Sequence, residues 1–425
     1  MNKEILLHRL KHNKTRLIAT LKYMIFSIFV GIILGVIGSL FSLGVSYATT
    51  LRTHHWQFLL LLPVGAILIQ FAYHMLRKKD HTASYAGTNL ILAAIHSNEE
   101  IPLRMTPLIF FSSIFSHLCG ASVGREGAAL QMGGSIGNAI GRLFHLETRD
   151  KHTIIMCGMS AAFSAVFGTP MAAAIFSMEV VSVGIMHYAA LVPCVIASFT
   201  AHAIAKYFFG LNLLHYDIGK IPTFDPVSAI QISILAILCG FISILFCVSL
   251  HNTEKLANQY LKNAYVRALI GGLTVLILSF LIGRNEYNGI SINLIQHSIN
   301  GTAHWQDFLL KIIFTSLSLA AGYKGGEIVP TFVIGATFGG FVGPLLGLSP
   351  AICAACGMGA VFCGVTNCPI TSLLICLEIF GMDGMPYFLL SVALSYMMSG
   401  YYGLYSSQKI VYSKYRSNYI NKDTE

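Results

Sequence analysis

The chain has 425 residues, 55% hydrophobic and only 11% charged, with a mean hydropathy of +0.68. A soluble domain carries about a quarter charged residues, so this composition excludes one and indicates an integral membrane protein. The net charge of +9 does not indicate a nucleic-acid partner, because Lys and Arg gather at the ends and in short loops, where they read as membrane orientation.

In chain order, Lys3, Arg9, Lys11, Lys14, Arg16 and Lys22 come first, so residues 1–16 are expected to be a basic cytoplasmic N-terminus. An uncharged run follows from Tyr23 to Leu51, longer than the roughly 20 residues that cross a hydrocarbon core. It lacks the small-residue cleavage site of a secretory signal and is expected to be retained. Arg77-Lys78-Lys79 marks a short loop. Gly120-Ala121-Ser122-Val123-Gly124 fits G-x-S-x-G, but an apolar helical run precedes it instead of the strand a hydrolase elbow needs, so no enzyme is expected. Further uncharged runs cover Val180–Ala205, Pro226–Thr253, Ile328–Leu377 and Met385–Gln408. Lys409, Lys414, Arg416 and Lys422 lie in a tail, 409–425, too short for a separate soluble domain. Helix-length runs without in-out alternation exclude an outer-membrane barrel. The fold class is an all-α polytopic membrane protein.

Sliding the chain along itself exposes a repeat. Cys157-Gly158-Met159-x-Ala161-x-Phe163 matches Cys356-Gly357-Met358-x-Ala360-x-Phe362 at an offset of 199, and Val166, Pro170 and Glu179 pair with Val365, Pro369 and Glu378 in the same register. Upstream of each copy stands a ladder of glycines four apart, Gly133, Gly137, Gly141 and Gly335, Gly339, Gly343, Gly347, which lets helix backbones approach closely. Two related halves follow, 17–215 and 226–408, joined by the polar stretch from Asn212 to Pro226.

Before each ladder lies a Gly-rich segment with a carboxylate, Gly124-Arg125-Glu126-Gly127 and Gly322-Tyr323-Lys324-Gly325-Gly326-Glu327-Ile328-Val329-Pro330. Repeated halves with helices interrupted at matching positions point to a transport site near the bilayer midplane. A helix that begins inside the membrane leaves amide N–H groups unpaired and presents its positive dipole end, and an anion relieves both. An ionised carboxylate at that depth costs about 2.5–3.5 kcal/mol, so Glu126 and Glu327 read as functional. The plainer alternatives are that Glu126 caps its helix and that Glu327 pairs with Lys324. For Glu179 and Glu378, at one place in both repeats, a structural hydrogen-bond anchor is the better reading. The ten Cys fall mostly in apolar segments, where thiols pack as small residues, and the 16 His show no ligand spacing and read as interfacial. No metal and no cofactor is expected.

With these residues in hand, the chain resembles the CLC chloride channels and proton-coupled anion antiporters over nearly its full length. Gly124-Arg125-Glu126-Gly127 looks like the family's G-R-E-G motif, whose glutamate is external gate and proton carrier. Gly326-Glu327-Ile328-Val329-Pro330 lies where the family has G-x-F-x-P. Leu404-Tyr405-Ser406 is similar to the late segment whose tyrosine closes the inner side of the central anion site. The resemblance implies inverted-topology halves with helices broken near the midplane, a homodimer with one pore per subunit, and anion contacts from Gly124, Arg125, Gly127, Ile328, Val329 and Tyr405.

Three departures stand beside it. Gly87-Thr88-Asn89-Leu90-Ile91 replaces the family's G-S-G-I-P, leaving Thr88 as the best candidate, with Asn89, for its anion-contacting serine. The inner proton glutamate falls at Val180. Glu327 and Ile328 stand where the second loop has apolar residues and Phe, a combination similar to the fluoride-selective antiporter branch. The expected function is CLC-type halide transport by proton-coupled antiport, fluoride ahead of chloride, with a gated chloride channel as the alternative. Glu126 and Glu327 would carry protons, in a multi-pass cell-membrane (inner or plasma membrane) protein with both termini cytoplasmic. The partners are halide anions, protons and the lipid bilayer, with no nucleic acid.

Overall fold

A computed structural model describes residues 3–76, 87–97, 99, 101–211, 214–283, 285–416 and 418–424, with side chains from residue 20 onward. Arg77-Lys78-Lys79, Asn212 and the basic side chains before residue 17 lie outside the described residues.

The first half consists of α1 (Lys3–His54), α2 (Leu62–Leu76), α3 (Thr88–His96), α4 (Met105–Cys119), α5 (Glu126–Leu143), α6 (Thr148–Phe167), α7 (Pro170–Glu179) and α8 (Leu191–Tyr207). The second half consists of α9 (Pro226–Tyr260), α10 (Ala264–Ile282), α11 (Ile292–Ile299), α12 (Asp307–Ala320), α13 (Ile328–Leu345), α14 (Pro350–Thr366), α15 (Pro369–Phe380) and α16 (Met385–Met398). Six helical segments among the described residues are long and apolar enough to cross a membrane. α1 is continuous through residues 16 and 17.

Matching sequence produces matching structure. α5 packs on α6 and α13 on α14 through the two ladders. A Cβ at Gly133 would collide with the Gly158 carbonyl, and one at Gly335 with the Gly357 carbonyl, so these glycines set the closeness of each helix pair. α6 ends on Gly168 (φ 84°) and α14 on Asn367 (φ 60°), both left-handed caps at the repeat offset. Pro170 and Pro369 then start α7 and α15, where a missing N–H costs nothing.

The uncharged runs are subdivided. Ile328–Leu377 yields α13, α14 and most of α15, and Val180–Ala205 begins with non-helical residues before α8. The tail is more ordered than its sequence suggests. β2 (Lys409–Tyr412) pairs in parallel with β1 (Ser182–Val183) and antiparallel with β3 (Tyr419–Asp423), so the tail is docked onto the first half. All ten cysteines are buried and free.

Candidate functional site

The two Gly-rich segments meet. Gly124 donates its amide to the Gly326 carbonyl at 2.6 Å and Gly326 returns the bond at 2.7 Å, a two-residue antiparallel bridge between the halves. α4 stops at Gly120, whose φ of 88° closes the helix, and a short non-helical segment, turned by a bond from the Val123 amide to the Ala121 carbonyl, leads to α5 at Glu126. In the other half, Gly322 at φ 97° interrupts the chain between α12 and α13. The Lys324 amide also donates to Ser116 Oγ of α4 at 3.1 Å. Consequently the first turns of α5 and α13, whose amides have no intrahelical acceptor, begin beside one another at a break shared by both halves.

The carboxylates sit at those starts. Glu126 is fully buried; its carboxylate accepts from the Arg125 amide at 3.1 Å and from Arg125 Nε at 3.3 Å, while Arg125 Nη1 donates to Ser42 Oγ at 3.0 Å. Glu327 is half-buried and caps α13 with its backbone, its carbonyl accepting from the Thr331 amide at 3.0 Å and hydroxyl at 2.8 Å. A Cβ at Gly127 would stand 3.5 Å from Glu327 Oε2, which places this carboxylate beside the turn that carries Glu126. The Lys324 ammonium lies 4.6 Å from the centre of the Tyr73 ring. Among the described residues the ion pairs are Lys22–Asp150, Arg125–Glu126 and Lys409–Asp423; the Lys324–Glu327 alternative is not among them. Ile328 and Val329 are buried in the first turn of α13. Beside Arg125 lies a polar cavity of about 180 Å3, bordered by Ser42, Ser46 and His202.

Tyr405 is 1% exposed, and its buried hydroxyl has no hydrogen-bond partner among the described residues. A buried hydroxyl without a partner costs about 1–3 kcal/mol, so it marks a place for an acceptor. Its segment is firmly held. Leu404 donates its amide to the Val365 carbonyl, Gln408 Nε2 donates to the Val180 and Thr366 carbonyls at 2.9 and 2.8 Å, and Thr424 Oγ1 donates to the Tyr405 carbonyl at 2.7 Å. Asn89 Oδ1 accepts from the Ser407 amide and hydroxyl at 3.2 and 3.0 Å, so Asn89 holds the Tyr405 segment. Thr88 Oγ1 accepts from Gln131 Nε2 of α5 at 3.3 Å, and Gly87 makes the turn before it at φ 68°. Gly124, Arg125, Glu126, Gly127, Glu327, Ile328 and Val329 thus gather at the bridged break. Thr88 and Asn89 tie α3 to α5 and to the Tyr405 segment.

Some residues close to the break escape sequence reasoning. His117 is fully buried in α4, which does not fit the interfacial reading of the histidines, and Arg52 is 6% exposed. Lys311 of α12 is also fully buried and bonds Ser122 Oγ, four residues before Glu126, at 2.9 Å. Each looks like an ordinary loop or helix-end cation in the sequence.

The sequence matches a family model described as voltage gated chloride channel over residues 65–400. A chloride/fluoride channel protein of Pseudomonas syringae pv. tomato is 36% identical over 402 residues, covering 93% of this chain and 88% of the relative. An H(+)/Cl(-) exchange transporter ClcA of Vibrio cholerae serotype O1 is 25% identical over 410 residues, covering 89% and 85%. Among solved structures, a CLC-type fluoride/proton antiporter superposes with a TM-score of 0.86 at 29% identity, covering 91% of this chain and 97% of the other. A slow cyanobacterial Cl-/H+ antiporter, at 21% identity and TM-score 0.73 over 89% and 94%, shares the fold.

Proposed function

This chain belongs to the voltage-gated chloride channel (CLC) family, and from that membership we propose that it exchanges a halide, fluoride ahead of chloride, for protons. Relatives named as a chloride/fluoride channel and an H+/Cl- exchanger, and the fold of a fluoride/proton antiporter, support halide antiport. The observation that carries the reading here is the placement of two carboxylates, Glu126 and Glu327, at the starts of α5 and α13 across the Gly124–Gly326 bridge.

In this reading the anion lies at the α5 and α13 N-termini, where amides and dipoles favour negative charge, with the Tyr405 hydroxyl as a further donor. Glu126 competes with the anion when ionised and leaves when protonated. Glu327 accepts the proton that Val180, fully buried and apolar, cannot. The protein works as a homodimer with one pore per subunit, in the plasma membrane, with both termini cytoplasmic; it moves ions and catalyses no covalent step.

Liposomes with an imposed fluoride or chloride gradient, with internal pH recorded, test the proposal. Antiport drives protons against their gradient, larger with fluoride. Anion flux without proton movement overturns it in favour of the channel that Val180 would otherwise suggest.

A further inference from the structure

Tyr405 lies on a stretch without regular structure. α16 ends at Met398, and neither helix nor strand intervenes between Ser399 and Gln408, where β2 takes over. A helix fixes its side chains through its own backbone bonds, but here the placement of the phenol depends on what the segment is tied to. Much of that tie is the tail. β2 leaves from Gln408, and antiparallel β3 returns with Asp423 beside Lys409, so Thr424 arrives back at the residues from which the strand set out. Its amide donates to the Gln408 carbonyl at 3.2 Å and its hydroxyl to the Tyr405 carbonyl at 2.7 Å. With the Gln408 amide 2.9 Å away, both lone pairs of the Tyr405 carbonyl are taken.

The hairpin is itself anchored at two places. β2 pairs with Ser182 and Val183 of β1, just past Val180, and Ile410 beside Val183 is fully buried. In the connection between β2 and β3, Lys414 Nζ donates to Asn367 Oδ1, to Ser399 Oγ at 3.0 Å and to the Tyr396 carbonyl at 3.1 Å, and lies 4.4 Å from the centre of the Tyr396 ring. Asn367 passes the hold on. Its Nδ2 donates to the Tyr402 carbonyl at 3.1 Å and to Gln408 Oε1 at 3.0 Å, so the residues on either side of Tyr405 are fixed to the end of α14.

We propose that the tail hairpin is a positioning device for the Tyr405 hydroxyl, with Thr424 as the positioning residue, so that halide affinity is set in part by residues 409–424, outside the bridged break. The buried hydroxyl is 1% exposed as a residue and has no described partner, and its aim is what an anion would feel. A small swing of the backbone is magnified at the phenolic oxygen, the far end of the side chain, and a hydrogen bond weakens steeply once its angle falls below about 120°. Thr424 restrains that swing at the Tyr405 carbonyl itself, and β1 and Lys414 keep the strand that delivers Thr424 from moving.

The inference rests on the halide reading above, so the test separates the two. Titration calorimetry with fluoride and with chloride is run on the full chain carrying Thr424→Val, which keeps the shape and removes the donor. Halide binding is expected to weaken about threefold to tenfold at an unchanged unfolding midpoint, and Thr424→Ser, which keeps the hydroxyl, to bind as wild type does. In a Tyr405→Phe background Thr424→Val should add nothing, because a residue that acts only by aiming the hydroxyl has no effect once the hydroxyl is gone. Should Thr424→Val fail to fold, Thr424→Ala is compared with Thr424→Ser in the same way. Wild-type affinity in Thr424→Val, or a loss that persists in full beside Tyr405→Phe, overturns the positioning role and leaves the transport reading standing. Unchanged affinity in Tyr405→Phe alone removes the donor and this inference with it, while halide-driven proton flux in liposomes still upholds antiport. No halide binding by the wild type, together with no halide flux, overturns both.

Discussion

Glu179 and Glu378 are exchanged between the halves: each lies in the last turn of a helix of its own repeat and caps the first turn of the corresponding helix in the other. Glu179 accepts from the Ile370 and Thr371 amides at 3.0 and 2.8 Å and from the Thr371 hydroxyl at 2.6 Å, and Glu378 accepts from the Met171 and Ala172 amides at 2.9 Å each. The four amides belong to the starts of α7 and α15, where helix geometry leaves donors unmet and the dipole favours an anion. The anchor expected from sequence is therefore a bond between the repeats.

Removing either carboxylate breaks that bond. Glu179→Ala, which strips the cap from three donors, is expected to lower stability by about 2–4 kcal/mol, and Glu378→Ala by about 1–3 kcal/mol. Thermal unfolding in detergent checks both, and a Glu179→Ala midpoint equal to wild type would remove the anchoring role.

At the break itself, Glu126→Gln imitates the protonated acid and cannot titrate. Proton movement is expected to vanish while anions still pass. Proton flux at the wild-type rate in proteoliposomes would show that Glu126 carries no proton.

Glu327→Gln separates function from support. No hydrogen bond to its carboxylate is found among the described residues, and its backbone carbonyl does the capping at Thr331. The variant should keep its unfolding midpoint and lose coupling. A destabilised variant that still couples would assign Glu327 to structure.

Tyr405→Phe removes a hydroxyl that no described residue engages, so the fold should be unaffected. A hydrogen bond to a charged acceptor is worth about 1.5–3 kcal/mol, so halide affinity should fall by about tenfold to a hundredfold. Calorimetry with fluoride and chloride decides, and unchanged affinity would make Tyr405 a packing residue.

The start of α6 supplies a pH test away from the site. Burial raises the Asp150 carboxyl, but bonds from Lys22, at 2.7 Å, and from the Tyr23 hydroxyl outweigh it and hold its pKa below the usual range. A depressed carboxyl stabilises the fold above its unfolded pKa of about 3.9 and loses that contribution as pH falls through the folded value. Asp150→Asn should therefore unfold at lower temperature than wild type at pH 7, by no more than about 1 kcal/mol for so exposed a pair, with the gap closing as pH falls through the folded value. A gap that persists in acid would place the effect elsewhere.

How far the sequence could be read follows from the range of the forces involved. The ladders, the left-handed caps at Gly168 and Asn367, and the proline starts are local requirements of backbone geometry, so the repeat displays them openly. Glu126 and Glu327 stand out because charge in a broken apolar segment needs a reason. The exchange of Glu179 and Glu378 is legible as symmetry but not as a swap, since either helix could have been capped from its own half. Lys311, Arg52 and His117 are hidden for a different reason. Burial of a cation depends on which loops fold over it, here 287–291 and 120–122, and nothing in their own neighbourhoods announces that. The β2–β3 hairpin is missed because its strands carry Lys and Asp, and its docking strand β1 is only two residues long.

The bridge between Gly124 and Gly326 also bears on how the protein is made. Its two strands lie about 200 residues apart, so at 5–20 residues per second the first waits roughly 10–40 s for its partner. Throughout that interval the Gly124 amide and carbonyl lack these partners, and open backbone at membrane depth is tolerated only where protein or water covers it. The first half must therefore be sheltered during insertion, by lipid-side packing or by the insertion machinery, and substitutions that slow translation between α5 and α13 should lower the yield of assembled protein without touching any residue of the site.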